Sequence, residues 1–200
     1  MKKMLFLLMA LGLVAPSLKA QEKFAKYQAG IESKSYDIKV GKIDKKKNFL
    51  IYIDIQNSEN EDSPMYINVG SNKLPKFKDA ILQIKNKYAE WKQVGIDNNV
   101  ANMTKPFGIY IPRDGGAFYY GREWFFADSV TLSAVFFLVN DIPYIGLMCY
   151  FTARDNQFIK SSGNIIFLTE KEVDDFLNAL DENGMRALAE GKASTENLFN

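Results

Sequence analysis

Hydrophobic positions along this chain repeat with two different periods. Over residues 36–42, Tyr36, Ile38 and Val40 alternate with Asp37 and Lys39; over 49–56, Phe49, Ile51, Ile53 and Ile55 share one side and Leu50, Tyr52 and Asp54 the other. Period-two alternation predicts half-buried antiparallel strands, and the short connection at 44–48 predicts a hairpin between them. A polar loop over 57–64 leads to a third short strand over 65–69. The period then changes. Leu74, Phe77, Ile81, Ile84, Tyr88 and Trp91 recur at intervals of 3, 4, 3, 4 and 3, which places them on one stripe of a helix from about Lys73 to Val94. Pro75 suits its first turn, Ser71 or Asn72 its cap, and Gly95 its stop. A stripe this short and this aromatic suits packing across a sheet better than a coiled-coil seam.

Strand patterning resumes at 107–112, 117–126, 130–139, 144–153 and 164–168, with Asp114-Gly115-Gly116 as a tight turn and 140–143 as another. The segment 130–139 is apolar on both faces, as a central covered strand would be. Thr169 and Glu172 form a capping box, with Leu168 and Val173 at the staple positions. They open a closing helix whose apolar face is Val173, Phe176, Leu177 and Leu180, and Gly184 is its expected end. A further turn at 185–190 precedes a loose tail over 192–200. Runs of strands separated by isolated helices predict an α+β fold: a largely antiparallel sheet of about seven to eight strands, one long amphipathic helix and a C-terminal helix.

The first twenty residues read as something else. Lys2 and Lys3 precede an apolar run from Met4 to Val14, Pro16 breaks it, and Leu18-Lys19-Ala20 closes it with a small residue. This is the layout of a signal peptide, too short to span a bilayer, with cleavage expected before Gln21 and Ser17 as the alternative end. Residues 21–200 are then expected to form a single α+β domain, exported to the periplasm or secreted, with no transmembrane segment and no cysteine directly after the apolar run to carry a lipid. Removing Lys2, Lys3 and Lys19 leaves 25 − 3 = 22 bases against 24 acids, a formal charge of −2. That near-neutral balance gives no footprint for nucleic acid, and Lys45-Lys46-Lys47 reads as a solvated hairpin tip.

Composition narrows the chemistry. The chain has no histidine and one cysteine, which excludes His-dependent triads, histidine zinc sites and an intramolecular disulfide. Carboxylates, Lys, Ser and Tyr stay open. Cys149 alternates in phase with Ile145, Leu147 and Phe151 and reads as buried and inert. Glu59, Glu61 and Asp62, and likewise Asp97, Asn98 and Asn99, lack the spacing of a calcium loop, so no metal and no cofactor is expected. Asp114, Glu123, Asp128 and Asp141 lie in the strand-rich half and are the candidates for paired-carboxylate hydrolysis, but spacing alone does not bring two together.

The densest signal is aromatic. Phe107, Tyr110, Phe118, Tyr119, Tyr120, Trp124, Phe125 and Phe126 fall within twenty residues. On a single strand over 117–126, Tyr120, Arg122 and Trp124 share one face, a platform that could stack on sugars or peptides with Arg122 as a polar fork. The alternative is that these aromatics belong to the core. The signal-peptide layout, the Lys-Tyr-Ala-Glu-Trp stretch at 87–91 and the Gly115-Gly116 turn together resemble the small uncharacterised secreted proteins of Gram-negative gut bacteria. That resemblance implies a class and no activity. The expected function is a non-catalytic binding or interaction module for a small ligand, glycan or peptide. The alternatives are a histidine-free carboxylate-dependent hydrolase acting on glycan or peptide, and an envelope-associated structural subunit.

Overall fold

The computed structural model describes residues 21–191; the expected signal peptide and the tail at 192–200 lie outside them. Eleven strands and three helices follow one another as β1 Glu22–Ala29, β2 Lys34–Val40, β3 Leu50–Asp54, β4 Gln56–Asn57, β5 Met65–Gly70, α1 Leu74–Asp97, β6 Met103–Pro106, β7 Gly115–Tyr120, β8 Glu123–Ala127, β9 Val130–Val139, β10 Ile142–Thr152, β11 Lys160–Phe167, α2 Glu170–Ala179 and α3 Glu182–Ala189.

The strands form two antiparallel sheets rather than the single sheet of seven or eight strands expected. One has six strands in the order β1-β2-β3-β5-β7-β8, the other five in the order β4-β11-β10-β9-β6. The segment read as one strand over 49–56 supplies both. At Ile55, whose N–H donates to the Met65 carbonyl at 2.9 Å, the chain leaves the first sheet, and Gln56 and Asn57 pair with Asn164 and Gly163 of the second. Alternation registers which side of a strand is apolar, not which partner it pairs with, so the crossing leaves no trace in the pattern.

Three further differences have local causes. β1 was not expected because a register shift between Lys23 and Ala25 interrupts its alternation. β6 stands at 103–106 rather than 107–112; all four of its residues are exposed, so it carries no apolar signal. The closing helix breaks at Leu180, and Asp181 caps a separate α3 by accepting from the N–H groups of Asn183 and Gly184. Gly184 therefore sits in the first turn of α3 instead of ending α2. The capping box on α2 is present: Thr169 accepts from the Glu172 N–H, and Glu172 accepts from the Thr169 N–H.

α1 buries Leu74, Phe77, Ala80, Ile81, Ile84, Tyr88 and Gly95. Its N-cap is Lys73, with no side-chain cap bond, in place of Ser71 or Asn72. Gly95 does not stop it. A Cβ there would stand 3.2 Å from Leu138 Cδ2, so the missing side chain serves close packing on β9 and the helix continues to Asp97.

The inner faces of the two sheets meet directly at one end, where Phe118 of β7 packs on Phe151 of β10 with ring centroids 5.9 Å apart. A Cβ at Gly116 would overlap the Phe151 ring and the Tyr66 carbonyl, which fixes how closely the sheets approach. Helices join the core elsewhere. Phe176 of α2 touches Tyr27, Phe77 and Phe167 at 4.8, 6.3 and 5.4 Å. Tyr88 of α1 packs on Phe136, and its hydroxyl donates to the carbonyls of Pro143 and Leu168 at 3.2 Å.

Candidate functional site

The aromatic segment turns back on itself. Gly121 and Arg122 form a two-residue turn, with Gly121 at φ 66°, and Tyr120 stands opposite Glu123. Glycine in the first central position of such a turn is a hairpin signal, and it overrides the reading of 117–126 as one strand. The platform as drawn from the sequence therefore does not exist. In the β7–β8 register Tyr119 opposes Trp124 and Phe118 opposes Phe125, so Tyr120 and Trp124 project from opposite faces of the sheet. Arg122 is exposed at the tip, Tyr120 is 51% exposed, and Trp124 is only partly so.

Trp124 instead joins residues from strands further in. Its ring stacks on Tyr66 at 5.8 Å with an interplanar angle of 22°, and meets Tyr119 edge-on at 5.6 Å. Tyr66 and Trp124 lie on β5 and β8, with β7 between them, and the residue of β7 beside Tyr66 is Ala117. Its small side chain leaves room for the two rings to close over it. On the far side of Tyr66 the register sets Asp54 of β3 opposite it, and Lys39 of β2 reaches across to donate from Nζ to the Tyr66 hydroxyl at 2.7 Å.

This polar group is half withdrawn from water. Burial pushes the Asp54 carboxyl up to about 6, with Asp37 adding to the rise, while the Lys39 ammonium and the N–H groups of Asp37 and Ile55 pull the other way. Asp37 is itself engaged by Lys23 at 2.7 Å. Nearby on the same face, the Oδ1 of Asn68 is buried without a hydrogen-bond partner. The partly exposed Trp124 ring is thus bordered by an ammonium and a poised carboxyl, over a Tyr66 ring only 5% exposed and an amide oxygen closed to solvent. Such a set accepts and donates hydrogen bonds at the edge of a stacking plane, which is the combination used to hold a ring bearing hydroxyls.

The other candidates sit apart from this group. Asp114 accepts from the Gly70 N–H at 2.6 Å and from Lys73, tying β5 and the start of α1 to the segment before β7. Asp128 faces Arg154 at 3.6 Å, Glu123 is exposed beside the β7–β8 turn, and Asp141 occupies the β9–β10 turn at φ 66°. These four acids do not converge. Cys149 is fully buried, and burial raises its thiol far above the ordinary range. Among the described residues no group of three or more acids and cysteines is placed to hold a metal ion, and no helix is long and apolar enough to cross a membrane.

Of the three residues expected at a site, one, Trp124, belongs to the cluster. Lys39, Asp54, Tyr66 and Asn68 were missed as site residues, although alternation already set Lys39 and Asp54 on wet strand faces. What was lacking was the strand order that brings them beside Trp124. Comparison with protein-family models, with curated proteins and with solved structures found no match.

Proposed function

We propose that this protein is an exported, soluble, non-catalytic binding module whose ligand lies on the outer face of the six-stranded sheet, stacked on Trp124 and hydrogen-bonded to the Lys39–Tyr66–Asp54 group. One observation carries the reading: the Tyr66–Trp124 stack is flanked by a desolvated carboxyl that costs the fold stability. Perturbed ionisable groups of that kind concentrate at functional sites. The chemistry favours a glycan, whose rings offer apolar faces to Trp124 and hydroxyls to the polar edge. Arg122 flanks the far end from the hairpin tip, while Tyr120 faces away.

Glycan and peptide arrays probed with the intact chain test this. A glycan hit should weaken by about thirtyfold in Trp124→Ala, the loss of about 2 kcal/mol typical of a central aromatic, and should fall in Asp54→Asn. The absence of any ligand for the wild type, or equal binding by Trp124→Ala, would overturn it. The proximity of Asp37 to Asp54 favours the hydrolase as a second reading, since a carboxyl raised to about 6 beside a second carboxyl is a pairing that acid–base hydrolysis can use. Release of reducing sugar by the wild type, abolished in Asp54→Asn, would select the hydrolase instead.

A further inference from the structure

The outer side of the five-stranded sheet carries a feature of a different kind. Along β9 every inward residue is buried and every outward one is partly or wholly exposed, yet Val135, Phe137 and Val139 all point outward. Phe137 stacks on Tyr144 at 4.9 Å, and a cavity of about 370 Å³ opens beside them between the β1–β2 turn and the β9–β10 hairpin. Its walls are Ile31, Val139, Ile142, Tyr144, Ile166 and Leu168, and the one other lining residue is Asn140. No lining residue is charged. Ile31 is 85% exposed and Ile142 60%, so large aliphatic side chains converge on water rather than on protein.

Both walls are held in place. The Gly30 N–H donates to the Ile166 carbonyl at 2.7 Å, which pins the turn carrying Ile31 to β11. On the other side Asn140 and Asp141, at φ 49° and 66°, form the two-residue turn between β9 and β10. A second cavity of about 210 Å³ adjoins the first and shares Ile31 and Ile166 with it. Its chemistry is opposite. Glu32, Lys34 and Glu61 line it, a formal charge of 1 − 2 = −1, together with Gln56 and Tyr36. Lys34 already faces Glu61 at 3.7 Å, which leaves the surplus negative charge with Glu32.

We propose that the paired cavities form a binding site for a single-chain amphiphile with a cationic head, the apolar chain in the larger cavity and the head against Glu32 and Glu61. An uncharged lining admits hydrocarbon, and the larger cavity exceeds twice the roughly 150 Å³ that holds a benzene ring. The net negative charge of the adjoining cavity selects the head. This site is separate from the Trp124 surface and stands whether or not that surface binds a glycan.

Calorimetry on the intact chain with decyltrimethylammonium, decanol and decanoate, each below its micelle concentration, tests it. The cationic probe should bind at least about tenfold more tightly than decanoate, a difference of about 1.4 kcal/mol. Ile142→Glu should abolish binding of decanol while leaving the melting temperature unchanged, and Glu61→Lys should shift preference toward decanoate. Trp124→Ala should leave all three affinities unaltered. Absence of binding, equal affinity for the cationic and anionic probes, or undiminished decanol binding by Ile142→Glu would overturn the proposal. So would a dimer that dissociates in Ile142→Glu, since a second copy would then be the occupant.

Discussion

On the outer side of the six-stranded sheet, Lys39, Asp54 and Asn68 stand among Tyr66 and Trp124. The same side of the five-stranded sheet presents Val135, Phe137, Tyr144, Met148 and Ile166, all partly exposed. Each surface departs from what stability alone would choose, and in opposite directions. One withdraws ionisable groups from water; the other leaves apolar groups in it. The inner faces show no such conflict: Ile38, Ile51, Ile53 and Ile67 from one sheet and Phe136, Ile145, Leu147 and Phe151 from the other are all 1% exposed or less. Departures of this kind on two outward surfaces mark where the chain has been shaped by something other than packing.

The sharpest contrast should come from the two faces of the β9–β10 hairpin. Phe136 is fully buried and touches Tyr88, Trp91 and Phe107. Phe136→Ala should cost about 3–5 kcal/mol by cavity formation, whereas Ile142→Ala, on the open face, should stay within about 0.5 kcal/mol. Chemical denaturation measures both. Equal losses would mean that the outer face is covered as thoroughly as the inner.

Trp124 falls between these extremes. It is partly exposed but contacts two rings, so Trp124→Ala should lower stability by about 2 kcal/mol, less than a core aromatic and more than a free surface one. A loss as large as that of Phe136→Ala would place Trp124 in the core and remove it from any binding surface.

Asp54 distinguishes the two faces by pH. Its carboxyl is raised from 3.8 to about 6 in the folded chain, so between those values the native state holds a proton that the unfolded state has released. Stability from this group is present at low pH and is lost as pH rises through about 6. Asp54→Asn should therefore stabilise the protein at pH 7, by about 1–2 kcal/mol after screening, and the gain should vanish below about pH 4. Thermal melts at the two pH values read this out. A variant destabilised at pH 7 would show that the charge is held by favourable contacts. The smallest effect belongs to Arg122, exposed at the hairpin tip, where Arg122→Ala should move stability by less than about 0.5 kcal/mol.

Legibility in the sequence divided along the same lines. Where inside and outside differ in polarity, as at Ile51-Tyr52-Ile53-Asp54, alternation placed every side chain on its proper face. Where both faces are apolar it misled. Val130–Val139 is central in its sheet, between β10 and β6, as its pattern predicts, but its outward residues are partly or wholly exposed instead of covered. Hydrophobicity reports what a side chain is made of, and a solvent-facing binding surface of the same composition cannot be told from a covered one. The Trp124 cluster was illegible for a different reason. It depends on β5 pairing with β7 across the whole of α1, and no local pattern encodes a contact between strands so far apart.

The crossing of the chain at Ile55 has a consequence for the order of assembly. Gln56 and Asn57 can pair only with β11, and the Asn164 amide reaches Ser58 across a separation of 106 residues. Lys78 likewise donates to the Leu180 carbonyl 102 residues away. β1, β2, β3 and β5 can pair locally, but β4 finds its partner only in residues near the other end of the described chain. Because such distant closures must precede the contacts that reward them, folding should be slow for a domain of this size, in milliseconds to seconds. Chains truncated before β11 should collect as aggregates rather than fold, because they expose the unpaired strands and the apolar inner face that β11 and α2 would cover.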